Sequence, residues 1–124
     1  MEKITFWELE QVMACDLNKK RDPCIEINFE VDGCTVYRDS WLGKLIDRNT
    51  KDVCYWFGLT PDGSQAYDFY SFEAFANAKV FYENKSLKEM LSKISFFSLG
   101  GGTVDEMLPF FLNAAKDANE LAQE

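Results

Sequence analysis

The segment before the last helical stretch is the part of this chain most similar to a ligand-binding motif. It reads SLGGGTVDEM, residues 98–107, in which three glycines lead into a helix start. Glycine-rich loops before helices hold phosphate groups through backbone N–H groups in many nucleotide-binding proteins. Here no Lys or Arg follows until Lys116, and Asp105 and Glu106 occupy the first helical turn. Because these carboxylates would repel a phosphate, we expect a flexible connection into a helix capped by Thr103.

The complete absence of histidine restricts the chemistry most strongly. Without histidine there is no Ser-His-Asp or Cys-His nucleophile and no imidazole-ligated zinc. The four cysteines occur singly, without the Cys-x-x-Cys spacing of metal sites, at Cys15, Cys24, Cys34 and Cys54. We interpret them as free thiols. The sequence therefore offers no catalytic residue, no cofactor motif and no metal ligand, which favours a non-enzymatic protein.

Asp68 is the acidic residue with the most interesting surroundings. It lies between Tyr67 and Phe69 in an extended segment, so burial there would raise its pKa and suit acid–base chemistry. Strand alternation predicts the opposite, with the two aromatic residues facing inward and Asp68 facing solvent. Glu26 and Glu30 share a strand face but are about 13 Å apart, too far for a glycosidase pair.

Aromatic residues make up 15% of the chain, and several cluster around the second predicted hairpin. This cluster contains Trp41, Tyr55, Trp56, Tyr67 and Tyr70. Core packing is the simpler interpretation, and a small-molecule pocket or a protein-binding patch is the alternative. Phe96 and Phe97 lie beside the glycine segment and would form a second docking surface if exposed.

The charge balance is acidic, with a net charge of −8 and a pI near 4.5. An acidic surface repels phosphate backbones, so we expect no nucleic-acid binding. The only basic run, Lys19 to Arg21, is flanked by Asp16 and Asp22 and is expected to be a solvated loop. No stretch is apolar enough for a signal peptide or a membrane span, so we expect a cytoplasmic protein.

Local patterns predict the order of elements. Thr5 and Glu8 form a capping box before a first helix, and 24–31 alternates as a strand that turns at Asp32-Gly33. We predict further strands at 34–41, 53–59 and 65–70, a short fifth strand at 79–82, and a polar connection at 42–52. Helices are expected after Ser71 and Ser86 and from 103 onward. Pro109 should either kink the last helix or mark its true start.

These elements predict one α+β domain spanning residues 1–124. Its antiparallel sheet of four or five strands would be built from two hairpins. The N-terminal helix and two or three C-terminal helices would pack mainly on one face. Glu26, Asn28 and Glu30 would leave the other face at least partly exposed to water.

The composition favours a protein-interaction module of bacterial type, similar in class to inhibitors and immunity proteins, that uses acidic and aromatic surface. A basic protein partner would be favoured electrostatically. A small-ligand binder or carboxylate-dependent enzyme with a pocket around Asp68 and the tyrosines is one alternative. A self-associating structural protein that forms a homodimer is another.

Overall fold

The computed structural model describes residues 2–14, 24–47 and 49–123, with side chains as far as Asn113. Cys15 and the basic run at 19–21 lie outside the described residues. The helices are α1 (Phe6–Ala14), α2 (Phe72–Asn77), α3 (Leu87–Met90) and α4 (Val104–Gln123). The strands are β1 (Cys24–Val31), β2 (Ser40–Ile46), β3 (Val53–Gly58), β4 (Ala66–Phe69), β5 (Ile94–Leu99) and β6 (Gly102–Thr103).

The strands form one antiparallel sheet in the order β4-β3-β2-β1-β5-β6. This arrangement confirms the predicted α+β class, with six strands where the sequence predicted four or five. The first four strands are a meander of sequential neighbours. The chain then crosses from the β4 edge through α2 and α3 and returns as β5 on the other side of β1.

Strand β1 shows why one face of the sheet is covered. Ile25, Ile27, Phe29 and Val31 are buried, whereas Glu26 is exposed. The buried side chains share one hydrophobic core with residues from all four helices, including Leu9, Phe75, Leu87 and Val104. The face that carries Glu26, here called the open face, is partly exposed, as predicted.

Strand β2 corrects the predicted position of the second strand. Residues 34–39 are an irregular connection, and the segment expected to be a polar link contributes most of β2. The pattern was hidden by Lys44, which lies on the covered face and is only 3% exposed. Its Nζ donates a hydrogen bond of 2.6 Å to the carbonyl of Met13 near the end of α1. A cation is favourable at that end of a helix.

Strand β5 corrects the predicted position of the fifth strand. Residues 79–82 contain no strand, and a 3₁₀ turn spans Tyr82–Asn84 instead. The capping box of Ser86 and Glu89 is confirmed, but α3 ends at Met90, and a second 3₁₀ turn, Leu91–Lys93, leads into β5. Ile94, Phe96 and Leu99 of β5 are buried in the core, whereas Phe97 is exposed at the bulge opposite β1.

The glycine segment is a tight turn between β5 and β6. Gly100 and Gly101 adopt φ values of 59° and 90°, a conformation that glycine tolerates best. Thr103 then caps α4 by accepting a hydrogen bond of 3.2 Å from the backbone N–H of Glu106, as predicted. The segment therefore forms a hairpin turn between two paired strands.

Helix α4 runs from Val104 to Gln123 as one element and contains Pro109. A restart of the helix at this proline, one of the two expected arrangements, does not occur. Proline lacks the N–H that would bond the carbonyl of Asp105, so α4 lacks one backbone bond in its second turn. No helix in the described part of the chain is long and apolar enough to cross a membrane.

Candidate functional site

A groove of about 430 Å³ lies on the open face of the sheet. It lies above β1, β2 and β3, next to the turn that follows β3. Its lining combines two tryptophans, two carboxylates and a glycine with the first residues of the turn: Glu26, Asp39, Trp41, Trp56, Gly58, Thr60 and Pro61. The strand register brings these residues together from distant parts of the sequence.

Each groove tryptophan lies directly opposite a glycine on the neighbouring strand. Trp41 of β2 pairs with Gly58 of β3, and Trp56 of β3 pairs with Gly43 of β2. A Cβ atom on Gly43 would lie only 2.6 Å from Cζ2 of Trp56, so the indole rests against that glycine. A Cβ atom on Gly58 would meet nothing within 4 Å. The space above Gly58 is therefore the open part of the groove.

Two carboxylates also line the groove. Glu26 is exposed and pairs with Gly43 in the ladder, which places it next to the Trp56 indole. Asp39 precedes β2 with a positive φ of 49°, which Asp tolerates better than most residues. Its Oδ1 accepts a hydrogen bond of 3.1 Å from Asn28 Nδ2, and the same amide donates to the carbonyl of Ser40 at 3.0 Å. Asn28 therefore fixes the position of Asp39.

The turn that contributes Thr60 and Pro61 to the groove lining is also held in place. Asp62 Oδ1 accepts hydrogen bonds from Thr60 Oγ1 at 2.7 Å, from Ser64 N at 3.0 Å and from Ser64 Oγ at 2.7 Å. These bonds, led by the Ser64 N–H, lower the pKa of Asp62 to about 2. The buried Ser40 hydroxyl donates to the carbonyl of Leu59 at 2.6 Å, which ties the turn to β2. The groove is thus preformed.

Asp68 lies on the same face, opposite Trp56 in the ladder, and is exposed to solvent. The outward orientation predicted from alternation is confirmed. The desolvated acid on which the enzyme alternative depended is absent at this position. The nearby Cys54 thiol has a raised pKa because of burial first and the negative charge of Asp68 second. This cysteine is therefore a protonated, weakly nucleophilic thiol at neutral pH.

The other residues singled out in the sequence lie elsewhere. Tyr67 pairs with Phe57 on the covered side and is partly exposed at the sheet edge, and Tyr70 follows β4 with 75% of its surface exposed. Phe97 is exposed at a bulge in β5. Phe96, expected beside it on a docking surface, is fully buried in the core. Tyr55 packs against Phe72 and Phe75 on the covered face. Of these candidates, only Trp41 and Trp56 line the groove.

Glu26, Asp39 and Gly58 were not recognised as groove residues from the sequence. Glu26 was correctly predicted to lie on the open face, but no pattern in the neighbouring sequence placed it near the tryptophans. The available signal was glycine inside a strand, since such glycines often mark a close approach of another group. Gly43 and Gly58 both have this property, and each faces a tryptophan.

The groove has the chemistry of a site for a cation. Indole faces attract cations through their quadrupole, and carboxylates accept charge-assisted hydrogen bonds. The open-face positions of β1 to β4 carry no Lys or Arg that would compete with a bound cation for these carboxylates. Among the described residues, no three His, Cys, Asp or Glu side chains are grouped so as to hold a metal ion. No protein-family model, curated protein or solved structure matches this chain.

Proposed function

We propose that this chain is a non-enzymatic protein-interaction module that binds a basic segment of a partner protein on its open face. The observation that carries the proposal is the groove, in which two half-buried tryptophans adjoin the carboxylates of Glu26 and Asp39. Half-buried indoles in a preformed groove are typical anchors of protein interfaces. The carboxylates give the site a preference for positive charge.

The overall charge supports the same class of partner. A net charge of −8 attracts basic proteins over long distances and repels nucleic acids and acidic surfaces. A module of this kind would act by covering a basic surface of its partner, as inhibitors and immunity proteins do. A cytoplasmic setting agrees with the three described cysteines, Cys24, Cys34 and Cys54, which are all free thiols.

Tryptophan fluorescence tests the proposal directly. In a Trp7→Phe background the emission reports Trp41 and Trp56, because Trp7 lies on α1, outside the groove, and is 61% exposed. We expect a short Lys- and Arg-containing peptide to change the emission saturably, and an acidic peptide of equal length to leave it unchanged. Equal responses to both peptides would contradict charge recognition.

The homodimer alternative is separated by sedimentation at several protein concentrations. The proposal expects a constant sedimentation coefficient without partner, and a concentration-dependent increase would favour self-association. Replacing Trp41 with Ala should abolish peptide binding without changing sedimentation. A matched variant, Tyr82→Ala, removes a partly exposed aromatic residue outside the groove and should retain binding.

A further inference from the structure

We propose that the groove binds an arginine side chain of the partner, with its guanidinium plane above Gly58 and beside Trp41 and Trp56. This inference rests on the proposed function and specifies the chemical group that is recognised. Three features of the groove support it: the shape of the open space, the pairing of indoles with carboxylates, and the preformed position of the carboxylates.

The shape of the space favours a flat group. The strand register makes Gly43 and Gly58 equivalent, since each faces an indole across the β2–β3 ladder. The Trp56 indole already fills the position above Gly43, approaching a Cβ there to 2.6 Å. The position above Gly58 is unfilled to at least 4 Å. This unfilled position can accept a planar group that stacks against a neighbouring indole face.

The chemistry of the lining favours guanidinium over ammonium. Guanidinium is planar, weakly hydrated and able to stack on aromatic faces, whereas ammonium is a compact and strongly hydrated charge. Its five N–H donors can reach two carboxylates at once, and Glu26 and Asp39 both line this groove. The Asn28 amide occupies only part of the acceptor capacity of Asp39, because an ionised carboxylate has about four acceptor positions.

The size of the groove is sufficient for an arginine side chain. Its volume of about 430 Å³ is near the lower end of ligand sites. The turn that contributes Thr60 and Pro61 to the lining is fixed by Asp62. A preformed groove loses little conformational entropy when one residue enters, so a single anchor can contribute much of the affinity.

Three peptides of identical sequence except for one central residue test the inference by fluorescence titration in the Trp7→Phe background. We expect the Arg peptide to bind at least about five-fold more tightly than the Lys peptide, and the neutral citrulline peptide to bind least. Equal binding of the Arg and Lys peptides would overturn guanidinium recognition while leaving the proposed function intact. Absence of binding by both cationic peptides would overturn both.

A substitution that fills the space provides the structural test. Gly58→Val places a β-branched side chain above Gly58, which suits a strand and meets no existing atom at its Cβ. We expect it to remove the Arg preference while the circular dichroism spectrum and thermal midpoint stay close to those of the parent. Leu45→Val changes an exposed residue of β2 outside the groove and should retain the preference. An unchanged preference in Gly58→Val would overturn the inference.

Two matched variants, Glu26→Gln and Glu30→Gln, test the contribution of the groove carboxylate to peptide binding. Glu26→Gln keeps the shape of the side chain and removes its charge, so we expect the Arg peptide to bind several-fold more weakly. Glu30→Gln removes a charge from the same face of β1, four positions away and outside the groove lining, and should have the smaller effect. Equal losses in the two variants would indicate general charge attraction and would overturn a specific contact at the groove.

Discussion

Gly43 and Gly58 show how one residue type can serve two purposes in the same ladder. The lack of a side chain at Gly43 lets the Trp56 indole lie against the backbone, whereas at Gly58 it leaves space unfilled. Neither glycine has a positive φ, so conformational freedom does not explain them. Their role is to leave room above the sheet, for an internal side chain in one case and for a ligand in the other.

This difference predicts opposite responses to alanine. Gly43→Ala would force the Trp56 indole and the carbonyl of Ile25 away from the new Cβ, so we expect a loss of about 1–3 kcal/mol in the free energy of unfolding. Gly58→Ala should change it by less than about 0.5 kcal/mol or increase it, because alanine is better suited to a strand than glycine. Urea denaturation measures both, and similar stabilities would contradict the packing described for Trp56.

At the scale of elements, the capping box of α3 is linked to the chain segment before it. Glu89 Oε1 accepts hydrogen bonds from Lys79 Nζ at 2.8 Å and from the backbone and hydroxyl of Ser86 at 3.2 and 3.1 Å. Lys79 first and Ser86 second lower the pKa of Glu89 to about 2. One carboxylate therefore both caps α3 and connects it to the chain leaving α2.

The depressed pKa predicts a pH dependence of stability. Because the folded pKa is below the usual 4.5, the contribution of Glu89 is complete above that pH and is lost as the pH falls toward about 2. We expect Glu89→Gln to be less stable than the parent at neutral pH, with the difference shrinking across this window. Thermal midpoints between pH 2 and pH 7 measure it.

Glu10→Gln, which removes a charge from the exposed side of α1, is the control for this pH dependence. Its stability should follow that of the parent through the acid range. The difference in thermal midpoint between Glu89→Gln and the parent could instead stay constant with pH. That result would assign the loss of stability to side-chain packing and would contradict an explanation by titration of Glu89.

The elements that the sequence predicted correctly are those with strong local signals. Strand β1 alternates without exception, and the caps at Thr5, Ser71 and Ser86 all form the expected backbone hydrogen bonds. Strand β2 was misplaced because Lys44 is buried, which alternation cannot anticipate. Strands β5 and β6 depend on pairing with distant segments, so their apolar and glycine-rich sequences are ambiguous in isolation.

The groove was only partly predictable for a related reason. The wet face of β1 and the interest of Trp41 and Trp56 followed from alternation and composition. Their meeting with Glu26 and Asp39 depends on the register among three strands, which the sequence does not specify. Burial of Phe96 was missed because an aromatic pair in a strand gives no indication of which member faces inward at a bulge.

At the scale of the molecule, aromatic packing joins α2 to the sheet. Phe57 of β3 stacks on Phe75 of α2 with ring centroids 4.3 Å apart and an interplanar angle of 13°. Phe69 and Phe81 meet Phe57 edge-on at 6.1 and 5.8 Å. These ring contacts join α2 and the chain that follows it to β3 and β4.

This packing predicts a large effect of truncation at α2. Phe75→Ala should lower the free energy of unfolding by about 3–5 kcal/mol, because a fully buried ring leaves a cavity. Phe110→Ala, at a site 55% exposed on α4, should cost much less. Chemical denaturation measures both variants. Comparable losses would show that the core does not depend on the α2 contact.

The net charge of −8 predicts a salt dependence for partner binding. Raising NaCl from about 0.05 to 0.5 M shortens the Debye length and should slow association with a basic peptide several-fold, while dissociation changes less. Stopped-flow fluorescence of the tryptophans separates the two rates. An association rate independent of salt would contradict long-range attraction.

The backbone bridge between Glu2 and Phe96 closes part of one edge of the sheet. Glu2 exchanges two hydrogen bonds with Phe96, of 3.0 and 2.8 Å, along a strand that β6 covers only at Ser98 and Leu99. Strand β5 reads ISFFSL, an uncharged segment without proline, which is the composition of chains that stack into fibrils. The two hydrogen bonds between Glu2 and Phe96 therefore help to prevent a second copy from extending the sheet, and we expect removal of residues 1–3 to increase aggregation.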